Sequence, residues 1–545
     1  MVCSFKPGYE GLESARIAWL QMVQQSHLTD VGRTFQENEI LLTGGNGFLG
    51  KVVLALLLDR YPHLKHLHLL LRPGRLHSAQ ERFDAEIMES PVMASLRERR
   101  GDRFVREKVS VWPGDVGRPD CGLDSAALEQ IAGRIRLIIH CAGRVDFFPP
   151  ADESLHANVD GVENIVALAR RSAAKLLHVS TCFVSGAADG LIEETEPILG
   201  FYPHRKGVDD RSFNAVQELA YCREQIRLIT QPADPDGAQE PPARSKEVIQ
   251  KLIALGKRRA EHWGWVNTYT YSKSLGEQII AAQEDIDWSI VRPAIVESSL
   301  RFPFPGWIEG GRTAAPLVLM ALSGLRHWPV RRDTALEVVP VDLIAAAILT
   351  VGALLLEGRH EPVYQLGTAD VNPVKLGPLV YLLREEARKH KKNGLGALSL
   401  GISGGRGRAR FVSVEEARAR RLRLEKRIRR AQAIIDRMHN AVKNTRLPGR
   451  KSLAGWQSAL RTLGLQAKFR EQTLDQYLPF ILHNRYIFES ENIRTAYTMI
   501  SEKDKLLLPW DPERIHWKNY WIHHQIAGIE KWIQPEAVKD WAFKI

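Results

Sequence analysis

The sequence predicts a doubly wound α/β fold, a parallel sheet covered on both faces, with a smaller, mainly helical unit at the C-terminal end. Three observations point there. Apolar runs rich in β-forming residues recur at Leu67–Leu71, Val109–Trp112, Leu137–His140, Leu176–Val179 and Trp288–Val291, separated by segments of helix length. An earlier run, Ile40-Leu41-Leu42-Thr43, breaks into a glycine cluster and passes at once into an amphipathic stretch. The chain also has 545 residues, 44% of them hydrophobic and 26% charged, enough for two or three domains and a large core.

Residues 1–37 read as an N-terminal helical extension without a basic-then-apolar leader. The sheet-forming region follows over 38–375, and its glycine cluster is the first feature with chemistry in it. Gly44-Gly45-Asn46-Gly47-Phe48-Leu49-Gly50 stands between strand and helix, where glycines let the backbone turn sharply against a pyrophosphate. The charge of that pyrophosphate would rest on the free N–H groups opening the helix. The spacing fits either Gly45-x-Gly47-x-x-Gly50 or Gly44-x-x-Gly47-x-x-Gly50.

Ligands on such a sheet lie at the carboxyl ends of its strands, so each end supplies candidates. The second run ends in Leu71-Arg72-Pro73-Gly74-Arg75. An acid at this place would hold a ribose 2′-hydroxyl, whereas Arg72 suits a 2′-phosphate and predicts NADPH as the cofactor. Later strand ends carry Gly114-Asp115-Val116, Cys141-Ala142-Gly143 and Ser180-Thr181-Cys182. Residues 187–265 interrupt the alternation with a Pro, Asp and Gly loop at 232–242 between two helical stretches, a natural lid or substrate wall. Then comes Asn267-Thr268-Tyr269-Thr270-Tyr271-Ser272-Lys273, where Tyr269 and Lys273 share a helix face. An ammonium beside a phenol lowers its pKa toward the range of a working acid/base. Tyr271 has no lysine at that offset. Leu343–Leu356 is about 14 apolar residues, short of the ~20 that span a bilayer, and reads as a buried helix.

Thr43–Gly50, Thr181, Tyr269 and Lys273 together resemble the extended short-chain dehydrogenase/reductase superfamily and its Rossmann-like fold. Several stretches resemble the fatty acyl-CoA reductases more narrowly, above all the bacterial alcohol-forming ones. They are Thr43 to Val52, His178-Val179-Ser180-Thr181-Cys182, Asn267 to Lys273, and Val291 to Val296 followed by Pro305-Gly306-Trp307-Ile308-Glu309-Gly310. The likeness returns in Tyr477 to Phe488, Leu508 to Tyr520 and Ala527-Gly528-Ile529, which look like the family's C-terminal domain over 471–545. The resemblance implies Thr181, Tyr269 and Lys273 as catalytic residues. It implies Gly44, Asn46, Gly47, Phe48, Leu49 and Gly50 at the phosphates and Asp115 with Val116 at the adenine. Cys141, Ala142, Gly143, Pro293 and Ile295 would stand by the nicotinamide, and Asn158 in a proton relay. Cys141-Ala142-Gly143 departs from the more usual Ala-Ala or Ala-Ser pairing.

The activity so implied is NADPH-dependent reduction of long-chain acyl-CoA to fatty alcohol through an aldehyde. Motifs do not count electrons, so an enzyme that stops at the aldehyde remains open, as does a non-catalytic NADP-binding module. Cys182 suggests a covalent acyl-enzyme, but a strand that aims Thr181 into the site aims Cys182 away from it. Five scattered cysteines argue for a reducing compartment and against structural zinc, and the expectation is a cytoplasmic protein. The net charge of +11 calls for an anionic partner, and no nucleic-acid module accompanies it. Much of that charge lies in a basic helical region over 376–470. Leu424, Ile428, Ala431, Ile435 and Met438 form an apolar stripe there among arginines. The stripe suits a helix packed on its own protein, peripheral contact with a membrane, or a site for CoA phosphates.

Overall fold

The computed structural model describes residues 28–203, 212–231, 245–310, 313–322, 325–392, 408–442, 455, 458, 464, 476–478 and 484–533. The 232–242 loop, most of the 1–37 extension and parts of the 401–450 stretch lie outside them.

Seven parallel strands form the main sheet: β1 (Glu39–Thr43), β2 (His66–Leu71), β3 (Val109–Pro113), β4 (Ile135–His140), β5 (Lys175–Val179), β6 (Trp288–Pro293) and β7 (Val363–Leu366). Their order is β7-β6-β5-β4-β1-β2-β3, so connections run one way from β1 and the other way from β4. The crevice between β1 and β4 is thus the switch point where such sheets bind ligands. Strand β7 has no counterpart among the runs read from the sequence, because four buried residues carry no periodic signal.

Alternation sorts the strand residues into two apolar layers. Ile40 and Leu42 face one layer, which holds helix α1 (Phe48–Arg60) and helix α7 (Val341–Leu356). Leu41 faces the other, with helix α2 (Gly161–Ser172) and part of helix α5 (Thr268–Ala281). Every residue of α7 except Leu356 is buried, as the apolar run predicts. No helix among the described residues is long and apolar enough to cross a membrane.

Between β5 and α5 lie helix α3 (Ala215–Thr230) and helix α4 (Lys246–Trp263). Leu219, Cys222 and Ala260 pack with Tyr271 and Leu275 in a third apolar cluster that covers the outer side of α5. Helix α6 (Ala315–Leu322) is apolar throughout, and helix α8 (Val414–Val442) is strongly basic. Among the described residues the C-terminal segment is mainly helical, and its buried side chains join the main core. Phe488, Ile493, Trp510, Trp521 and Ile529 belong to the same cluster as α1 and α7. Tyr486–Phe488 pairs in parallel with Gly190–Ile192, and Thr29 bridges to Ile500.

Candidate active site

Four strand ends meet at the switch point: Thr43 lies beside His140, His140 beside His178, and Val179 beside Val291. The chain leaves β1 through Gly44, whose φ of +70° a side chain would strain. A Cβ on Gly44 would come within 2.6 Å of the Ala142 nitrogen, and one on Gly50 within 2.1 Å of the Gly44 oxygen. At Gly45 the obstacle is only the tip of Leu69. The turn is therefore built as Gly44-x-x-Gly47-x-x-Gly50. Gly47 caps α1 without a side-chain bond, leaving the first helical N–H groups open to an anion.

A cleft of about 650 Å³ runs from this turn. Gly44, Asn46, Gly47, Arg72, Asp115, Val116, Cys141, Ala142 and Gly143 line it, all of them expected from the sequence. Thr181, Tyr269 and Lys273 stand outside its walls, and so do five further expected residues. Phe48 packs on Trp307 with ring centroids 5.1 Å apart, Leu49 packs against the core, and Gly50 sits behind the turn. The Pro293 oxygen accepts the Thr181 hydroxyl at 3.3 Å, and the Ile295 nitrogen bonds the Glu337 oxygen. The far end of the cleft is richer in arginine than the sequence suggested. Arg72 is largely exposed, 3.8 Å from Asp115. Arg82 lies beside it, donating to the Arg72 carbonyl and paired with Glu86 at 2.7 Å, while Asn46 donates to Glu86 at 2.9 Å. A capping box of Ser78 and Glu81 starts the helix that carries Arg82, and that spacing was available as a signal. Arg144, Glu153 and His156 also line the cleft, with no motif to announce them.

Helix α5 is started by Asn267, whose side chain accepts the Thr270 N–H at 2.9 Å. This cap sets Tyr269 in the first turn and Lys273 one turn on. The Tyr269 hydroxyl hydrogen-bonds Thr181, just beyond β5. Lys273 Nζ donates to the Val179 oxygen at 2.9 Å. A Cβ on Gly143 would stand 2.9 Å from Asn158 Oδ1 and 3.0 Å from Lys273 Nζ, so these two groups lie directly behind this part of the cleft wall. Asn158 Nδ2 donates to the Arg144 oxygen and to Ser272 on α5. Behind them Glu277 and Arg292, both buried, form a two-pronged ion pair that fixes α5 to β6. Removing either partner would strand the other charge, at a cost of about 3–5 kcal/mol.

The electrostatics depart from the expectation raised by the Tyr269–Lys273 spacing. Burial pushes the Tyr269 phenol up to about 12, opposed by the Thr181 hydrogen bond. Burial pushes the Lys273 ammonium down to about 8, opposed by Cys141 and Glu277. The ammonium is held on the Val179 carbonyl, and desolvation of the phenol wins. Tyr271 turns away from the site to Glu218 and Cys222 among the inserted helices. Cys182 is buried with its thiol on the Arg292 carbonyl, so it faces away from the cleft.

A family model described as Male sterility protein, an NAD-binding family, matches residues 42–348. The alcohol-forming fatty acyl-CoA reductase of Simmondsia chinensis is 32% identical, over 63% of this chain and 70% of that protein. The chain is a member of the fatty acyl-CoA reductase family. Its likeness to a second such reductase extends over nearly the full length. Probable fatty acyl-CoA reductase 4 of Arabidopsis thaliana is 27% identical, over 90% of this chain and 97% of its own. Among solved structures, the reductase domain of a non-ribosomal peptide synthetase from Mycobacterium tuberculosis superposes with a TM-score of 0.47. It is 18% identical and covers 88% of this chain and 92% of that one.

Proposed function

We propose that this fatty acyl-CoA reductase uses NADPH to reduce long-chain acyl-CoA, releasing CoA and, by way of the aldehyde, fatty alcohol. The observation that carries the reading is the pair of hydroxyls, Tyr269 bonded to Thr181, with Tyr269 on the same helix as Lys273, which lies directly behind Gly143 in the wall of the glycine-turn cleft. The turn fits a pyrophosphate, since Gly44 and Gly50 leave no room for side chains and Gly47 leaves the helix N-terminus uncapped. Arg72 and Arg82 offer two guanidinium groups where a 2′-phosphate would lie, which supports NADPH over NADH.

When bound, the cofactor supplies hydride to the carbonyl carbon of the thioester. The chain's own residues handle the oxygen of that carbonyl. Thr181 donates a hydrogen bond to it as negative charge develops, and Tyr269 delivers the proton. A phenol raised to about 12 stays protonated at neutral pH, as a proton donor must. Lys273, one turn away, would hold the nicotinamide ribose, and Asn158 keeps the 143–144 backbone against α5. Collapse of the hemithioacetal breaks the carbon–sulfur bond and releases CoA. The same two hydroxyls then serve the aldehyde.

Incubation with palmitoyl-CoA and NADPH tests the reading by comparing cofactor oxidised with product formed. Two cofactors consumed for each alcohol is the expected result. One cofactor per molecule of accumulating aldehyde would overturn the four-electron outcome, and absence of turnover with any acyl thioester would overturn the activity.

A further inference from the structure

Helix α8 takes no part in the site, yet between 414 and 438 it carries nine basic residues against four acidic ones. Its two long faces differ. Ala417, Ile428 and Ile435 are half-buried, and a side chain at Gly464 would meet Gln432 and Ile428 at 3.5 and 3.7 Å, so this face is covered. On the other face Arg423, Arg427, Arg430 and Arg437 recur at helical spacing and are exposed. Ile434 and Met438 fall in the same stripe, and each is more than half exposed. A soluble polyanion would reward only the arginines. A lipid surface rewards both sets, arginine at the phosphates and the apolar side chains at the acyl boundary.

The helix is rooted near α6. It follows Arg410–Phe411, which pairs with His327–Trp328, the strand that comes after α6. The Thr313 carbonyl at the start of α6 accepts the Tyr477 hydroxyl at 2.7 Å. The Phe147 ring stands 5.6 Å from that of Tyr477 and 6.4 Å from that of Tyr269. Aromatic and apolar groups thus lead from the phenol to the root of the helix.

We propose that α8 is an interfacial helix that seats the chain on an anionic lipid surface. That acyl substrate enters from this side rests on the activity proposed above, whereas the docking itself does not. The test is co-sedimentation of the full chain with phosphatidylcholine vesicles, with and without phosphatidylglycerol. Binding should need the anionic lipid. It should fall at least about tenfold in Arg423→Gln/Arg427→Gln/Arg430→Gln/Arg437→Gln and also in Ile434→Ser/Met438→Ser. Both variants should melt at the wild-type temperature, and both should oxidise NADPH with a short, water-soluble acyl-CoA at the wild-type rate. Equal sedimentation with both kinds of vesicle would overturn the proposal. So would undiminished binding by the serine variant, which would assign the arginines to nucleic acid or an acidic protein. Vesicle binding by a wild-type chain that turns over no acyl thioester would leave the docking standing and remove the activity.

Discussion

Two regions of the molecule use the same device for different ends. At the glycine turn, backbone touches backbone because Gly50 lies against the Gly44 oxygen, where a Cβ would be 2.1 Å away. At the junction with the C-terminal segment, Gly528 lies against the Gly306 oxygen, where a Cβ would be 2.0 Å away, and Gly306 itself has φ +82°. The first contact shapes a cradle for a ligand, and the second closes a seam between distant parts of the chain. Packing density at the two is alike, and only the surroundings differ. One opens onto a cleft with free N–H groups, the other onto Trp307 and the helical residues 517–532. The seam is also tied to the cradle, since Trp307 packs on Phe48 and Glu309 accepts from Lys51 at 2.6 Å.

Substitutions should separate the two regions, beginning where the cleft meets the reacting groups. Tyr269→Phe should lower turnover by about 10²–10⁴-fold while cofactor still binds, as read by steady-state kinetics and a binding titration. Near wild-type turnover would assign the proton to another group. Gly50→Ala should weaken NADPH roughly ten- to hundredfold, since the turn must open to admit the methyl. Unchanged affinity in calorimetric titration would mean the pyrophosphate lies elsewhere. Arg72→Glu should weaken NADPH far more than NADH, and equal losses would remove the 2′-phosphate from this end of the cleft.

On the seam, Gly528→Ala should cost about 1–3 kcal/mol of stability with cofactor affinity intact. If it instead weakened NADPH as Gly50→Ala does, the two regions would be one unit. The smallest effect concerns pH. Burial raises the Glu297 carboxyl to about 8 and those of Glu194 and Glu337 to about 7, from an ordinary value of 4.5. All three accept hydrogen bonds from the C-terminal segment, from Gln525, the Asn492 N–H and the Phe488 N–H respectively. A carboxyl raised on folding holds its proton more tightly in the folded chain. Its stabilisation is therefore complete below about pH 4.5 and is lost as pH climbs through 8. The melting temperature should fall over this window by roughly a few degrees more in the wild type than in Glu297→Gln. Parallel curves in scanning calorimetry would exclude Glu297 as the titrating group.

The contrast between cradle and seam also explains what the sequence could disclose. Six of seven sheet strands are legible because each is a continuous apolar run, and the glycine turn because its three essential residues lie within seven positions. Tyr269 and Lys273 are legible for the same reason, being one helical turn apart. Their electrostatics are not: the sign of the Tyr269 shift depends on burial, which no spacing records. Arg82 is reached through a capping box that sits away from the glycine motif. Gly306 and Gly528 meet only in three dimensions, and nothing local marks either as half of a contact. The Pro305–Gly310 stretch could be linked to the C-terminal segment only through its likeness to a family.

That the described C-terminal residues share the core of α1 and α7 bears on how the protein can be engineered. Phe488 donates to Glu337, Ser490 donates to Asp370, and Tyr61, just past α1, donates to Asp504. Excising the nucleotide-binding portion near residue 375 would uncover apolar surface on α1 and α7, take a donor from Glu337 and from Asp370, and leave the Tyr61 hydroxyl without its acceptor. A minimal catalytic fragment is therefore not obtained by trimming, and fusions or chimeras must carry both stretches from the same parent.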